Sequence, residues 1–189
     1  LFDLPDEVIY LDGNSLGPLP RAVQDRVAQM LREEWGGELI RAWNSRGWMD
    51  QPARVGDIVG RLIGAAPGTV VMGDTLSIKV FQALAAALDM RPGRREILSD
   101  TGNFPTDLYM AEGLIALKDK GYRLRMVAPE EVAGAIGEET AAVLLTGVDY
   151  RTGRRHDMAA LTRAAHAAGA VMIWDLAHSA GAVDVDLAG

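Results

Sequence analysis

The stretch of sequence that decides the fold is Val171-Met172-Ile173-Trp174-Asp175-Leu176-Ala177-His178-Ser179-Ala180-Gly181. Its opening apolar run, 171–174, is too short for a buried helix and predicts a central parallel strand covered on both faces. Asp175 stands at the carboxyl end of that strand, which is where open α/β sheets bind ligands. It is either the cap of the next segment or a functional carboxylate, and the nearby His178 favours function.

The composition is that of a globular protein large enough to bury a core, with 189 residues, 49% hydrophobic and 24% charged. No apolar run approaches the roughly 20 residues that cross a membrane, and the first residues resemble a trimmed start rather than a signal peptide. The absence of cysteine excludes disulfides and thiolate chemistry and predicts a reducing, cytoplasmic location. A net charge of -7 argues against nucleic acid as a partner, because little here would displace phosphate counterions.

From residue 69 onward, apolar runs typical of strands alternate with helical patterns across short connections. This alternation predicts an α/β fold with a mostly parallel sheet flanked by helices. Strands are predicted over 69–72, 97–99, 122–127, 141–146 and 171–174. Helices are predicted over 76–88, 105–117, 129–132 and 157–168, with Asp157 capping the last.

Residues 1–68 are predicted to form a separate N-terminal part. It has a short strand at 8–11, a Gly- and Pro-rich loop at 12–20, and helices over 21–35 and 55–63. Trp43 and Trp48 flank a polar loop in this part, and they are either core anchors or walls of an aromatic-binding pocket.

Polar and aromatic side chains gather at the predicted strand ends and helix starts. Each has an ordinary alternative as a cap, a hydrophobic staple or a core hydrogen bond. Together they suit a phosphorylated aromatic cofactor, which needs a helix dipole for its phosphate, a stacking face, and an anion beside a pyridine nitrogen. No metal is predicted, because a carboxylate and an imidazole are two ligands without a third. The residues are Leu76, Ser77, Phe104, Asp107, Thr146, Asp175 and His178.

The motifs around these residues resemble fold-type I pyridoxal-phosphate enzymes, and among them the kynureninases. They are Tyr-Leu-Asp-Gly-Asn-Ser-Leu-Gly at 10–17, Thr-Leu-Ser at 75–77, Phe-Pro-Thr-Asp at 104–107, Thr-Gly-Val at 146–148 and Asp-Leu-Ala-His at 175–178. The related cysteine desulfurases usually have His and Gln where this chain has Phe104 and His178. The resemblance covers nearly the whole chain.

The resemblance implies a site for pyridoxal 5'-phosphate. Leu76 and Ser77 would hold the phosphate, and Phe104 would stack on the ring. Asp107 would lie in the polar surroundings of the ring, and Thr146 would bond near it.

The resemblance also implies the catalytic and substrate-binding residues. Asp175 would pair with the pyridine nitrogen, and His178 would lie near the ring oxygen or the substrate. Asn14, Ser15 and Trp48 would line the substrate pocket.

The implied activity is hydrolysis of L-kynurenine, or its 3-hydroxy form, to anthranilate or 3-hydroxyanthranilate and L-alanine in tryptophan catabolism. The implied protein is a cytoplasmic homodimer that contributes to NAD biosynthesis and has no nucleic-acid or membrane partner. Residues 1–68 would contribute to the active-site wall and to the small domain or dimer interface, and 69–189 would be the first part of the cofactor-binding large domain. The alternatives are a cysteine desulfurase or selenocysteine lyase, and a non-catalytic fragment or binding homologue.

This chemistry requires a lysine that holds the cofactor and moves the α-proton. The chain contains Lys79, Lys118 and Lys120, and none of them matches the position that the resemblance implies, beyond the strand-end Asp175. We therefore expect the chain to be the N-terminal portion of a longer enzyme and to be inactive by itself.

Overall fold

The computed structural model describes residues 1–188, which separate into two compact units. Among these residues, the first unit comprises Leu1–Met72 and 186–188, and the second comprises Gly73–Val185. Among the described residues, no helix is both long and apolar enough to cross a bilayer.

The first unit is mainly helical. Its only strands, within the described residues, are a two-residue antiparallel pair, so the strand predicted at 8–11 is wrong. Val8, Ile9 and Leu11 are exposed there, and no neighbouring strand takes up their backbone hydrogen bonds. The helix predicted over 21–35 changes into a π-helix in its second half. The elements are β1 (Phe2–Asp3), β2 (Leu19–Pro20), α1 (Arg21–Gln29), the π-helix Met30–Trp35, α2 (Gly36–Glu38), a 3-10 turn (Leu39–Arg41), α3 (Ala42–Ser45) and α4 (Gln51–Leu62).

Helix α4 touches the extended segment 70–72 through two buried glycines. A Cβ added to Gly56 would lie 2.0 Å from the carbonyl oxygen of Val70, whereas one added to Gly60 would lie 3.4 Å from the Val70 side chain. The backbone N–H of Met72 donates to the carbonyl of Pro52. The strand predicted over 69–72 is therefore wrong, because this segment lies against a helix instead of pairing in the sheet.

The second unit contains a parallel sheet of four strands, in the spatial order β4 (Arg123–Val127), β3 (Glu96–Asp100), β5 (Thr140–Thr146) and β6 (Val171–Asp175). The strands predicted over 97–99, 122–127, 141–146 and 171–174 are present, and so are the long helices. The Asp157 carboxylate caps α8 by accepting a bond from the N–H of Ala160. The elements are α5 (Leu76–Met90), β3 (Glu96–Asp100), α6 (Pro105–Lys118), β4 (Arg123–Val127), a 3-10 turn (Pro129–Glu131), α7 (Val132–Ala135), β5 (Thr140–Thr146), α8 (Met158–Ala167) and β6 (Val171–Asp175).

Strand β6 does not have the central position that its sequence predicts. It pairs with β5 alone among the described strands, and its residues before Asp175 are half-buried. The strands covered on both faces are β3 and β5, in which every residue is buried. An apolar run of four residues predicts that side chains pack on both faces of a strand. It does not predict whether other strands pair with its backbone on one edge or on both.

Helices cover both faces of this sheet, and alternate strand residues point into two cores. Ala142 and Leu144 of β5 pack with residues of α5 and α6 on one face. Val143 and Leu145 pack with residues of α7 and α8 on the other face. In such a layered fold the helices run antiparallel to the strands, so α5 and α6 both begin at the carboxyl edge of the sheet.

The two glycines of α4 give a test of the packing of the first unit. We expect Gly56→Ala to lower the free energy of unfolding by about 2 kcal/mol, because the new methyl group displaces backbone at Val70. Gly60→Ala is the matched control, and it should leave stability unchanged or raise it by up to about 1 kcal/mol through helix propensity. Urea denaturation of both variants measures the difference, and equal effects would contradict the close approach at Gly56.

Candidate active site

The carboxyl edge of the sheet brings together most of the predicted site residues. Thr146 and Asp175 end the neighbouring strands β5 and β6, and their Cα atoms are directly paired in the sheet register. Phe104 occupies the N-cap position of α6, just after β3. His178 follows β6, and its ring centroid lies 5.8 Å from that of Phe104.

A buried pair of carboxyl groups forms the centre of this edge. Asp107, in the first turn of α6, is fully buried, and its carboxyl group interacts with that of Asp175. Burial, reinforced by the charge of Asp175, raises the pKa of Asp107 to about 7. Burial also raises the pKa of Asp175, but the N–H of Ala177 and the nearby His178 oppose that effect. The interaction between the two side chains raises the pKa of Asp107 and lowers that of Asp175, so Asp107 is the group of the pair that holds a proton more strongly.

Several buried polar atoms at this edge have no hydrogen-bond partner among residues 1–188. Asp175 accepts a 2.7 Å bond from the N–H of Ala177 at Oδ1, whereas its Oδ2 receives none. The other such atoms are both carboxyl oxygens of Asp107, Nδ1 of His178 and Oγ of Ser179. Because unpaired buried polar atoms are rare and costly, their concentration at one edge indicates a polar ligand site.

Asn103 fixes the geometry beneath this edge, and the sequence analysis missed it. Its Oδ1 accepts a 2.7 Å bond from the N–H of Phe104, and its Nδ2 donates to the carbonyl of Leu144 at 3.1 Å. Both partners can act in one direction only, so the orientation of the amide is settled. The hydroxyl of Thr146 must therefore donate its proton to Oδ1 of Asn103.

The interpretation of Thr146 is sharpened by this network. Its hydroxyl proton is committed to Asn103, so the oxygen can only accept a further hydrogen bond. Any bond that Thr146 makes near a ring must come from a donor on the ligand.

Tyr150 is a further residue of this edge that the sequence analysis did not single out. Its ring centroid lies 5.0 Å from that of Phe104 and 6.2 Å from that of His178. It lies in the polar loop that follows β5, where composition gives no sign of an aromatic cluster.

The predicted phosphate-binding turn is at the start of α5. Thr75 is the extended N-cap residue and makes no side-chain cap, so the first-turn N–H groups of the helix are not taken up by it. Ser77 is half-buried in that first turn and Leu76 is exposed. Both lie at the sheet edge that holds Asp175, and their contacts with a phosphate stay a prediction.

The predicted substrate-binding residues lie in the first unit. Asn14 and Ser15 form an exposed turn in which the N–H of Ser15 donates to the carbonyl of Asp12. Trp48 donates from Nε1 to the buried Glu34 at 2.9 Å and lines an open cavity of about 720 Å³. A hydrogen bond from Arg26 lowers the pKa of that glutamate. The role of these three residues toward a substrate stays a prediction.

Among residues 1–188, no three His, Asp or Glu side chains cluster as the ligands of a metal could.

The chain is similar to known proteins over its whole length, although no protein-family model matches it. It is 55% identical, over 98% of its residues, to a kynureninase from Pseudomonas fluorescens, of which it covers 46%. It is 53% identical, over 100% of its residues, to a kynureninase from Burkholderia pseudomallei, of which it also covers 46%. The chain thus spans about half the length of the curated relatives it matches.

Solved structures share the fold at low sequence identity. A variant of C-DES, with glycine covalently linked to its PLP cofactor, matches with a TM-score of 0.75 at 19% identity, over 96% of this chain and 50% of that one. A cysteine desulfurase from Thermococcus onnurineus matches with a TM-score of 0.72 at 20% identity, over 96% of this chain and 47% of that one. The predicted fold class, a parallel α/β sheet of the fold-type I kind, is confirmed.

The carboxyl pair predicts a specific pH dependence of stability. An unfolded aspartate loses its proton near pH 4, whereas Asp107 holds its proton until about pH 7, so the folded state is progressively disfavoured between these values. We expect Asp107→Asn to remove this loss. From about pH 5 to pH 8, the free energy of unfolding of the wild type should fall by about 3 kcal/mol relative to that of the variant.

Urea denaturation of the cofactor-free protein at the two pH values measures this difference. Asp89→Asn is the control, because Asp89 is an exposed carboxylate paired with Lys118 and has a lowered pKa. A difference that stays constant with pH for Asp107→Asn would show that Asp107 is ionised in the folded state.

Proposed function

We propose, from the premise that this chain is homologous to the kynureninases over its whole length, that it is part of an enzyme that hydrolyses L-kynurenine. The substrate is L-kynurenine or its 3-hydroxy form, and water cleaves it into anthranilate or 3-hydroxyanthranilate and L-alanine. The resemblance that the motifs predict is confirmed by the identities of 53% and 55%. The activity is proposed for the whole protein, of which this chain supplies the strand-end residues.

The single observation that carries the proposal is the buried Oδ2 of Asp175, which no hydrogen-bond donor among residues 1–188 reaches. A protonated pyridine nitrogen is the partner that this oxygen lacks, and pyridoxal 5'-phosphate would supply it. When bound, that cofactor supplies an electron sink for the bond-breaking steps at an amino acid. Asp175 would keep the ring nitrogen protonated, because an adjacent anion favours the charged form of a base.

Asp107 adjusts the charge of this anchor. Because the raised pKa of Asp107 disfavours ionisation of both groups together, the pair would offer a single negative charge to the single positive charge of a pyridinium. Phe104 would offer its ring as the stacking face, and the first turn of α5 with Leu76 and Ser77 would hold the phosphate. Thr146 would accept a hydrogen bond near the ring.

His178 is the proposed proton-handling residue of the chain. Its Nδ1 is buried without a partner among the described residues, beside Phe104 and Asp175. From this position it can hold or move a proton at the ring oxygen or at the substrate. Asn14, Ser15 and Trp48 are proposed to line the substrate pocket.

None of the three lysines of the chain suits the covalent role. Lys118 ends α6, eleven residues after Asp107 and so about 16 Å away along the helix, and it pairs with Asp89. Lys120 lies two residues further on. The Nζ of Lys79 donates to Gln82 at 3.1 Å. We propose that the required lysine comes from sequence outside these 189 residues.

The remaining properties follow the same resemblance. We propose a cytoplasmic homodimer that acts in tryptophan catabolism and supplies NAD biosynthesis, with residues 1–68 near the dimer interface or small domain. A cysteine desulfurase shares the fold, but Phe104 and His178 favour kynurenine as the substrate.

The full-length protein loaded with pyridoxal phosphate should convert L-kynurenine into fluorescent anthranilate. We expect Asp175→Asn to lower kcat by about a hundredfold, because a neutral amide does not keep the ring nitrogen protonated. Glu112→Gln, on an exposed position of α6, is the matched control and should leave kcat unchanged. Sulfide release from cysteine without kynurenine turnover would favour the desulfurase, and no turnover of either would favour a binding homologue.

The 189-residue chain by itself should neither turn over kynurenine nor link one equivalent of pyridoxal phosphate covalently. Lys118 pairs with Asp89, and Lys79 donates to Gln82, so neither is expected to form the covalent link to the cofactor. Borohydride reduction followed by mass spectrometry detects any covalent link. Stoichiometric labelling of one lysine would contradict the proposal that this residue lies outside the chain.

A further inference from the structure

We propose that Tyr150 is a positioning residue that holds Phe104 and His178 in place against the cofactor ring. The inference rests on the proposed function, and it assigns a role to a residue outside the predicted site. The three rings come from three loops at the carboxyl edge of the sheet, which follow β3, β5 and β6. Tyr150 is the one ring that contacts both of the others without a proposed cofactor contact of its own.

The rings of Phe104, Tyr150 and His178 form a triangle. Phe104 and Tyr150 meet edge to face at 67°, with centroids 5.0 Å apart. Tyr150 and His178 are stacked at 28°, with centroids 6.2 Å apart, and the third side of 5.8 Å joins Phe104 to His178. Aromatic pairs at these distances are mutually attractive, so the ring of Tyr150 restricts the rotation of both neighbours.

Tyr150 can act in this way because it lies on a rigid hairpin. Val148 and Arg155 form an antiparallel bridge, and the N–H of Asp149 donates to the carbonyl of Arg154 at 2.9 Å. The buried carboxylate of Asp149 accepts bonds from the N–H groups of Arg151 and Thr152, which lowers its pKa. The backbone on both sides of Tyr150 is therefore fixed.

The hairpin is also tied to the loop that carries Phe104. The buried carboxylate of Asp100, at the end of β3, contacts Nε2 of His156 at 2.6 Å and a guanidinium nitrogen of Arg154 at 3.4 Å. Its other oxygen accepts a 2.7 Å bond from the N–H of Gly102. Asp100 thus joins the segment before Phe104 to the end of the hairpin after Tyr150, and one cluster sets the distance between the two rings.

Loss of the Tyr150 ring should therefore loosen the cofactor site and leave the sheet intact. Tyr150 is 45% exposed, so its removal opens no cavity in either core. Phe104 and His178 would regain rotational freedom, which weakens cofactor binding and disturbs proton handling.

The test compares Tyr150→Ala, Tyr150→Leu and Tyr150→Phe in the full-length protein. We expect the first two to weaken pyridoxal phosphate binding by about tenfold and to reduce the induced circular dichroism of the cofactor band. Tyr150→Phe retains the ring and should stay within about twofold of wild type. Tyr109→Ala, on an exposed position of α6, is the matched control and should change neither quantity.

The thermal midpoint of the cofactor-free protein shows whether each variant folds. If Tyr150→Ala does not fold, the result for Tyr150→Leu decides the test. Wild-type binding and dichroism in a folded Tyr150→Leu protein would overturn this inference and leave the proposed function standing. Equal losses in Tyr150→Phe and Tyr150→Leu would overturn it as well, because the hydroxyl group would then be responsible. Failure of the wild-type protein to bind pyridoxal phosphate would overturn the proposed function and this inference together.

Discussion

Two carboxyl groups share one buried location at the end of β6 and the start of α6, and the candidate site depends on this constraint. Both groups are buried, and burial raises the pKa of each, so ionisation of both together is disfavoured. The surrounding sheet must be rigid enough to hold such an unfavourable arrangement, and the fully buried strand β5 supplies that rigidity. A positively charged group beside Asp175 would offset part of that unfavourable free energy.

Much of the fold could be predicted because apolar runs and helical periodicity are local properties. The four sheet strands, the long helices and the Asp157 cap follow from such patterns. The failures at 8–11, at 69–72 and in the placement of β6 share a cause, because each depended on which segment lies beside the run. Pairing partners and close approaches such as that of Gly56 to Val70 are set by the folded chain as a whole.

The candidate site residues could be predicted because they are polar or aromatic types at the ends of predicted strands. The residues that orient those side chains could not be predicted. Asp100 and Asn103 flank the same short turn. Asp100 binds His156 at the end of the hairpin that carries Tyr150, whereas Asn103 orients Phe104 and Thr146 through hydrogen bonds. Tyr150 belongs to a loop whose polar composition suggests solvent exposure. Such residues act through contacts between loops, and no periodicity or spacing in the sequence marks those contacts.

The position of β6 has a consequence for the chain as a molecule in solution. One side of the strand pairs with β5, and on the other side its main-chain donors and acceptors face no strand among residues 1–188. The side chains of β6 before Asp175 are half-buried. The unpaired edge of the strand presents backbone N–H and C=O groups with which another strand could pair. An extended segment that reaches it, from the same polypeptide or from another molecule, would lengthen the sheet by one strand. An unpaired strand edge of this kind is a known template for edge-to-edge association between copies of a chain.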